Sequence, residues 1–223
     1  MKQIKTREIE VFIRDVINNG KTCIDWDKLE KENKTFLTKV KELFKFENDN
    51  SWKFLTSSLD VIGDSQFAIN KFLESKNIQV KDNGEAYLMI YGVFSAVYIQ
   101  YKSIKTIAKI VKLKNEKKLY KDFEKLDIIF LRHIVSAHPI DFKNNGNSLE
   151  SYKLDRGSVK DFNYLTVINE VNEFKQYNIF NCIEKFNELT NFYLKLVAEK
   201  IIENRYSKGS IKTKNLVSKL NMI

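Results

Sequence analysis

Apolar residues recur every three or four positions along most of the chain, the period of a helix with one buried face. Ile4, Ile9, Val11, Phe12, Val16 and Ile17 form such a stripe over residues 4–19, and Asn18-Asn19-Gly20 ends it. Leu29, Phe36, Leu37, Val40, Leu43 and Phe44 predict a second helix from Asp27 to Phe46. A wider face over 52–76 is built from Phe54, Leu55, Leu59, Ile62, Phe67, Ile69, Phe72 and Leu73, with Gly63 inside it. Lys81-Asp82-Asn83-Gly84 reads as a turn. The pattern then predicts a long helix from Glu85 to about Leu113, through Tyr87, Leu88, Ile90, Tyr91, Phe94, Val97, Tyr98, Tyr101, Ile104, Ile107 and Val111. Before residue 101 this run is apolar nearly all round, as in a central bundle helix or a dimer surface.

Phe123, Leu126, Ile129, Phe130, Ile134 and Val135 predict a helix from Tyr120 to Ala137, which Pro139 ends by pushing its predecessor out of helical geometry. Residues 139–163 are polar, and a short hairpin fits there: Ser151 to Arg156, a turn at Gly157, then Asn163 to Ile168. A last helical region is expected from Val167 to Asn204, followed by a loose basic tail. The chain contains 7 Gly and 1 Pro, too few turn residues for a sandwich or barrel of many short strands. The fold class expected is therefore all-α: an antiparallel helical bundle with a loop or small β-hairpin insertion near residues 139–168. It forms one domain over 1–223, with N-terminal helices over 1–50, the main bundle over 51–205 and the tail over 206–223.

Charge adds a partner class. With 38 basic and 29 acidic residues the net charge is +9, and a polyanion such as RNA fits it. A Lys-rich solvated surface accounts for the same count equally well. Arginine occurs only at 7, 14, 132, 156 and 205, and its planar fork is the group suited to phosphate, so each position counts. Cys23 and Cys182 are far apart and show no zinc spacing, so both read as reduced packing residues. The N-terminal stretch is too charged for a secretory signal. No apolar run reaches 18 residues, and Tyr87 to Tyr101 is followed by Lys102 and Lys105. A cytoplasmic protein with no membrane partner is expected.

The only two histidines lie in Arg132-His133-Ile134-Val135-Ser136-Ala137-His138-Pro139. On an ideal helix Arg132 and His138 stand about 120° apart, but His138 sits at the frayed last turn, where its side chain swings freely. The negative end of the helix dipole favours imidazolium and keeps such a histidine titrating near neutral pH. Arginine plus histidine suits phosphodiester cleavage in RNA. Histidine takes the 2′-hydroxyl proton, and arginine neutralises charge building on the phosphate oxygens. Neither step asks for a metal or another cofactor. A histidine before proline at a helix end also serves simply as a cap, and Arg132 has Asp127 and Asp141 as candidate ion-pair partners.

The segment Arg132 to His138 resembles the signature of the HEPN superfamily: Arg, a polar residue, variable residues, then His. Tyr87 to Gln100, with its Tyr91-Gly92 pair followed by Ala96 and Gln100, is similar to the long second bundle helix of some bacterial HEPN-like proteins. The resemblance covers roughly residues 50–205. It departs from the commonest pattern in carrying His133 where Asn is usual, and in having five residues rather than four between Arg132 and His138. The resemblance implies a four- to five-helix bundle, a homodimer joined through the signature helix, and a metal-independent endoribonuclease. Its catalytic residues would be Arg132, His138 and His133. It also implies a toxin or phage-defence role with an antitoxin or defence-system partner. The alternative is a non-catalytic helical dimer that binds nucleotide, RNA or a partner protein.

Other features have plainer readings beside functional ones. Asp60 and Asp64, at i,i+4, read as solvent-facing residues or as a divalent-cation site. Tyr87, Tyr91, Tyr98 and Tyr101 read as core or dimer interface, or as a base-stacking platform. Lys102, Lys105, Lys109, Lys112 and Lys114 read as a solvated face or as a phosphate track. Arg156 is within reach of the signature cleft if the loop folds back.

Overall fold

The computed structural model describes residues 5–22, 24–77, 80–137, 139–144 and 148–223. The chain is mostly helical, with a small antiparallel strand portion. In order, its elements are α1 (Lys5–Lys21), α2 (Trp26–Lys31), α3 (Phe36–Phe44), α4 (Ser51–Glu74), α5 (Asn83–Ile110), α6 (Glu116–Glu124) and α7 (Asp127–Arg132). A π-helical turn, His133–Ala137, continues α7. Strands β1 (Phe142–Asn144), β2 (Ser148–Glu150), β3 (Tyr152–Leu154), β4 (Leu165–Asn169) and β5 (Phe174–Tyr177) follow, then α8 (Ile179–Arg205) and α9 (Ile211–Met222).

The first helix and the long runs at 52–76 and 85–113 match α1, α4 and α5 to within a few residues. Elsewhere local capping overrides periodicity. The expected helix from Asp27 to Phe46 is two helices, because Asn33 adopts a left-handed φ of 51° and Thr35 accepts from Thr38 N to start α3 afresh. The helix expected from Tyr120 breaks at Leu126, which is extended with ψ 133°, and restarts with Asp127 in the first turn.

The helical region expected from Val167 begins only at Ile179. Leu165–Asn169 is a strand containing the β-branched run Thr166-Val167-Ile168, and Asn178 Oδ1 accepts from Asn181 N to cap α8. The expected hairpin is present, pairing Tyr152 with Asn169 and Leu154 with Val167. It is part of a larger insertion, since β5 joins β4 and β1 pairs with β2. The tail expected to be loose holds α9, capped by Ser210 and anchored by buried Leu220.

Contacts along the chain group into two compact units. The first comprises Met1–Gly63, Lys102–Tyr120 and Thr190–Ile223. Its core includes Ile9, Phe12, Ile13, Phe44, Leu55, Leu59, Ile104, Ile107 and Val197. Within it the wholly buried Glu10 carboxylate is bonded by both Arg7 and Arg14, and Arg14 Nη2 reaches Asp60 Oδ1 at 2.7 Å. Gly63 makes room for this network: a methyl there would stand 2.4 Å from Arg7 Nη1. Asp60 thus serves as an ion-pair partner of Arg14, while Asp64 is exposed.

The second unit comprises Asp64–Tyr101 and Lys121–Leu189. It buries Ile90, Phe94, Val97, Tyr101, Phe123, Ile128, Leu131, Ile134 and Phe186. Phe72, Phe162 and Phe180 pack ring on ring at one side of this core. Gln100 Nε2 meets Ser65 Oγ and Gln66 Oε1 inside it, which explains a buried amide on an otherwise apolar helix face. Cys182 is buried here, and loss of solvation pushes its thiol up to about 11, with Asp127 adding to the shift. At pH 8 about one part in a thousand is thiolate. Alkylation of Cys182 in the native protein should therefore run at least about a hundredfold slower than in urea, as read by site-resolved mass spectrometry. Equal rates would contradict this burial. Cys23 lies outside the described residues.

Candidate functional site

Arg132 closes α7 and His133 opens the π turn. The turn is anchored by buried Ile134 and Val135, while Leu131 and Ile128 fix α7 from the same side. Arg132 and His133 are left half-exposed. A π turn widens the helix by one residue and changes where the following side chains point, a distortion common at functional sites.

The guanidinium of Arg132 lies over the ring of Tyr98 of α5, with Cζ 3.7 Å from the ring centroid. Its Nη1 stands 3.3 Å from His133 Nδ1. Guanidinium cannot accept a hydrogen bond, so Nδ1 is the acceptor, and the neutral ring carries its proton on Nε2. That nitrogen faces Glu124 Oε2 at 3.9 Å. The imidazole also stands edge-on to Tyr98, with centroids 5.6 Å apart. Glu124 is held in turn by the hydroxyl of buried Tyr101, which donates to Oε1 at 3.0 Å and stacks on Phe123. Nothing in the residue spacing marks Glu124 for this site, and Tyr98 stands in the sequence only as one of a spaced tyrosine series.

This chain of contacts does two things. Stacking on Tyr98 fixes the plane of the guanidinium and aims its N–H fork along that plane. His133 fixes the rotation of the fork within the plane. His133 therefore acts on Arg132 as a positioning group, with Glu124 orienting the imidazole from behind. His138 lies outside the described residues, so the expected convergence of Arg132 and His138 has no geometry here.

A cleft of about 330 Å³ opens beside the same segment. Val135 and Pro139 of the signature region line it, with Tyr87 and Tyr91 of α5 and Tyr152, Lys153, Leu154 and Arg156 of the β3 region. The chain does fold back to bring Arg156 to the signature segment, held there by the hydrogen bond from Tyr152 N to Pro139 O. Of the tyrosine series, Tyr101 is core, Tyr87 and Tyr98 are half-buried and Tyr91 is exposed. The lysine stripe belongs to the other unit, where Lys105 covers the Tyr120 ring at 4.0 Å and α5 ends before Lys112 and Lys114. Among the described residues no group of three or more His, Cys, Asp or Glu is placed to hold a metal ion. Also among them, no helix is long and apolar enough to cross a membrane.

Compared with protein-family models, with curated proteins and with solved structures, the chain matches none.

Proposed function

We propose that the protein is a metal-independent endoribonuclease of HEPN type, acting as a homodimer. The observation carrying this reading is the Arg132 guanidinium, stacked on Tyr98 and steered by His133 at a half-exposed helix end. Such a fork suits a phosphate whose oxygens gain charge in the transition state. In the reaction, His138 removes the 2′-hydroxyl proton of a ribose. The 2′-oxygen attacks the neighbouring phosphorus, a 2′,3′-cyclic phosphate forms, and the P–O5′ bond breaks. The departing 5′-oxygen takes up a proton. Arg132 holds the non-bridging oxygens throughout, and His133 with Glu124 keeps Arg132 in place.

Dimerisation is supported by large apolar side chains left in solvent on α4 and α5 of the second unit. Phe67, Leu88 and Ile99 are 61%, 75% and 47% exposed. A second copy packed on this side would take these side chains out of water. A toxin or phage-defence role, with an antitoxin or defence partner in the cytoplasm, extends the same reading.

Incubation of the full chain with single-stranded RNA in EDTA should yield fragments ending in 2′,3′-cyclic phosphate. The all-deoxy oligonucleotide should stay intact, and His138→Ala should lose cleavage while melting as the parent does. Cleavage of DNA, or unchanged cutting by the His138 variant, would exclude the mechanism. One observation favours a second reading. His133 Nδ1 is already engaged by Arg132, so if His138 supplies no base the site binds nucleotide or RNA without cutting it. Binding without cleavage in the same assay separates the two.

A further inference from the structure

We propose that the cleft lined by Tyr87, Tyr91, Pro139, Tyr152 and Arg156 is a nucleobase subsite for single-stranded RNA. It rests on the reading of Arg132 as a phosphate site only for its distance from the reacting bond. The cavity, about 330 Å³, is at the small end of the range for ligand sites, the size for one flat ring system and its sugar.

Its walls have the right chemistry. Tyr91 is 44% exposed although it sits in a concave surface, and its ring meets Tyr87 at 5.9 Å with a 33° tilt. Tyr152 lines the same cleft and is held from several sides. Tyr152 N donates to Pro139 O at 2.6 Å, and its hydroxyl donates to Glu150 Oε2 at 2.5 Å. Its ring packs edge-on against Phe130 and Phe142. A cavity lined by three tyrosines, one of them braced from behind, offers ring faces on which any base can stack.

Charge sits where a flanking phosphate would lie. Lys153 and Arg156 are both exposed on the β3 side of the cleft. The neighbouring Asp155 carboxylate is turned onto its own loop, accepting from Gly157 N and Ser158 N.

The cleft also lines up with Arg132. Tyr87, Tyr91 and Tyr98 fall within about 40° of one another around α5, so they form one stripe. Tyr91 and Tyr98 are separated by about 10 Å along the helix axis. An extended backbone covers that in about two nucleotides. A strand with its phosphate on Arg132 therefore delivers a nearby base to the Tyr87–Tyr91–Tyr152 slot.

The test uses the full chain and a short 2′-O-methyl RNA carrying 2-aminopurine, which cannot be cut. Binding is read by anisotropy and base stacking by quenching of the 2-aminopurine. The parent protein should quench the probe. Tyr91→Leu should weaken binding about tenfold and restore fluorescence, while Tyr91→Phe, which keeps the ring, should behave as the parent. Arg156→Gln should weaken binding and lower the slope of log affinity against log salt by about one ion. Arg132→Ala should lose cleavage of ordinary RNA and bind the probe more weakly, yet quench it once protein is saturating, because Tyr91 is intact. Unaltered binding and quenching in both Tyr91→Leu and Arg156→Gln would overturn the subsite, and if cleavage still depended on Arg132 the nuclease reading would stand. Quenching that depends on Tyr91, with ordinary RNA never cut, would keep the subsite and sink the nuclease reading. A 2-aminopurine mononucleotide binding as tightly as the oligomer would assign the cleft to free nucleotide and overturn the RNA proposal.

Discussion

Arg132→Ala should cut RNA about 10²–10³-fold more slowly than the parent while folding normally. Fold and function separate at this residue because the side chain is half-exposed and its main packing contact is the Tyr98 face. Losing that stack costs about 0.5–1 kcal/mol, a shift of a few degrees in melting temperature for a chain of this length. Losing the donors that meet the transition-state charge costs several times more. The effect should fall equally on kcat and kcat/KM, the pattern expected when an interaction is made only in the transition state. Arg132→Lys keeps the charge but not the plane, so it should recover only a small part of the rate. His133→Ala and Glu124→Gln free the guanidinium to rotate and should each cost about tenfold. Wild-type cleavage by Arg132→Ala would end the proposal, because the reading rests on this guanidinium, placed over Tyr98 and beside His133.

The sequence exposed the principal helices but not the way the site is assembled. Stripes such as Ile9, Phe12 and Val16, or Ile90, Phe94 and Val97, are read from spacing alone, because burial of one helix face is a local, periodic signal. The site depends on interruptions. Glu124 and His133 are nine residues apart, so on one unbroken helix they would point about 180° apart. The break at Lys125-Leu126, where Leu126 is extended, lets them meet at 3.9 Å. It carries no proline or glycine, and Leu126 makes no side-chain cap, so nothing in the local pattern announces it.

The same holds after Pro139. Leu165, Val167 and Ile168 form a short buried run that suits a helix segment or a buried strand alike, and only pairing with Tyr152–Leu154 and Phe174–Tyr177 decides for the strand. The partner of Arg132 was hidden for a different reason. Tyr98 belongs to a series whose members look equivalent in sequence, yet Tyr101 is core, Tyr98 carries the guanidinium and Tyr91 faces a cleft. Tyr91 and Tyr98 stand only about 20° apart around the helix and Tyr101 about 60° from Tyr98, differences that periodicity alone does not resolve.

The buried carboxylate of the first unit should give the largest stability effect, and an asymmetric one. Glu10 has no solvent exposure, whereas its partners Arg7 and Arg14 keep 34% and 30% of theirs. Removing both arginines strands a negative charge inside the core. The double variant Arg7→Ala/Arg14→Ala should therefore lose about 3–5 kcal/mol, seen as a melting point lower by about 10 °C or more. Removing the carboxylate instead leaves two cations that are already part-solvated and can swing outward on their apolar stems. Glu10→Leu fills the same space with apolar surface and should cost no more than about 1–2 kcal/mol. The outer arm from Arg14 to Asp60 contributes little to either number, since Asp60 is 64% exposed and its pairing is screened by water. Added salt should accordingly change the parent's stability only slightly, because the dominant pair is sealed from counterions. Chemical denaturation of the parent and the two variants reads the order directly. If Glu10→Leu proved the more damaging of the two, the carboxylate would be supporting the helix packing in its own right rather than being held in place by the arginines.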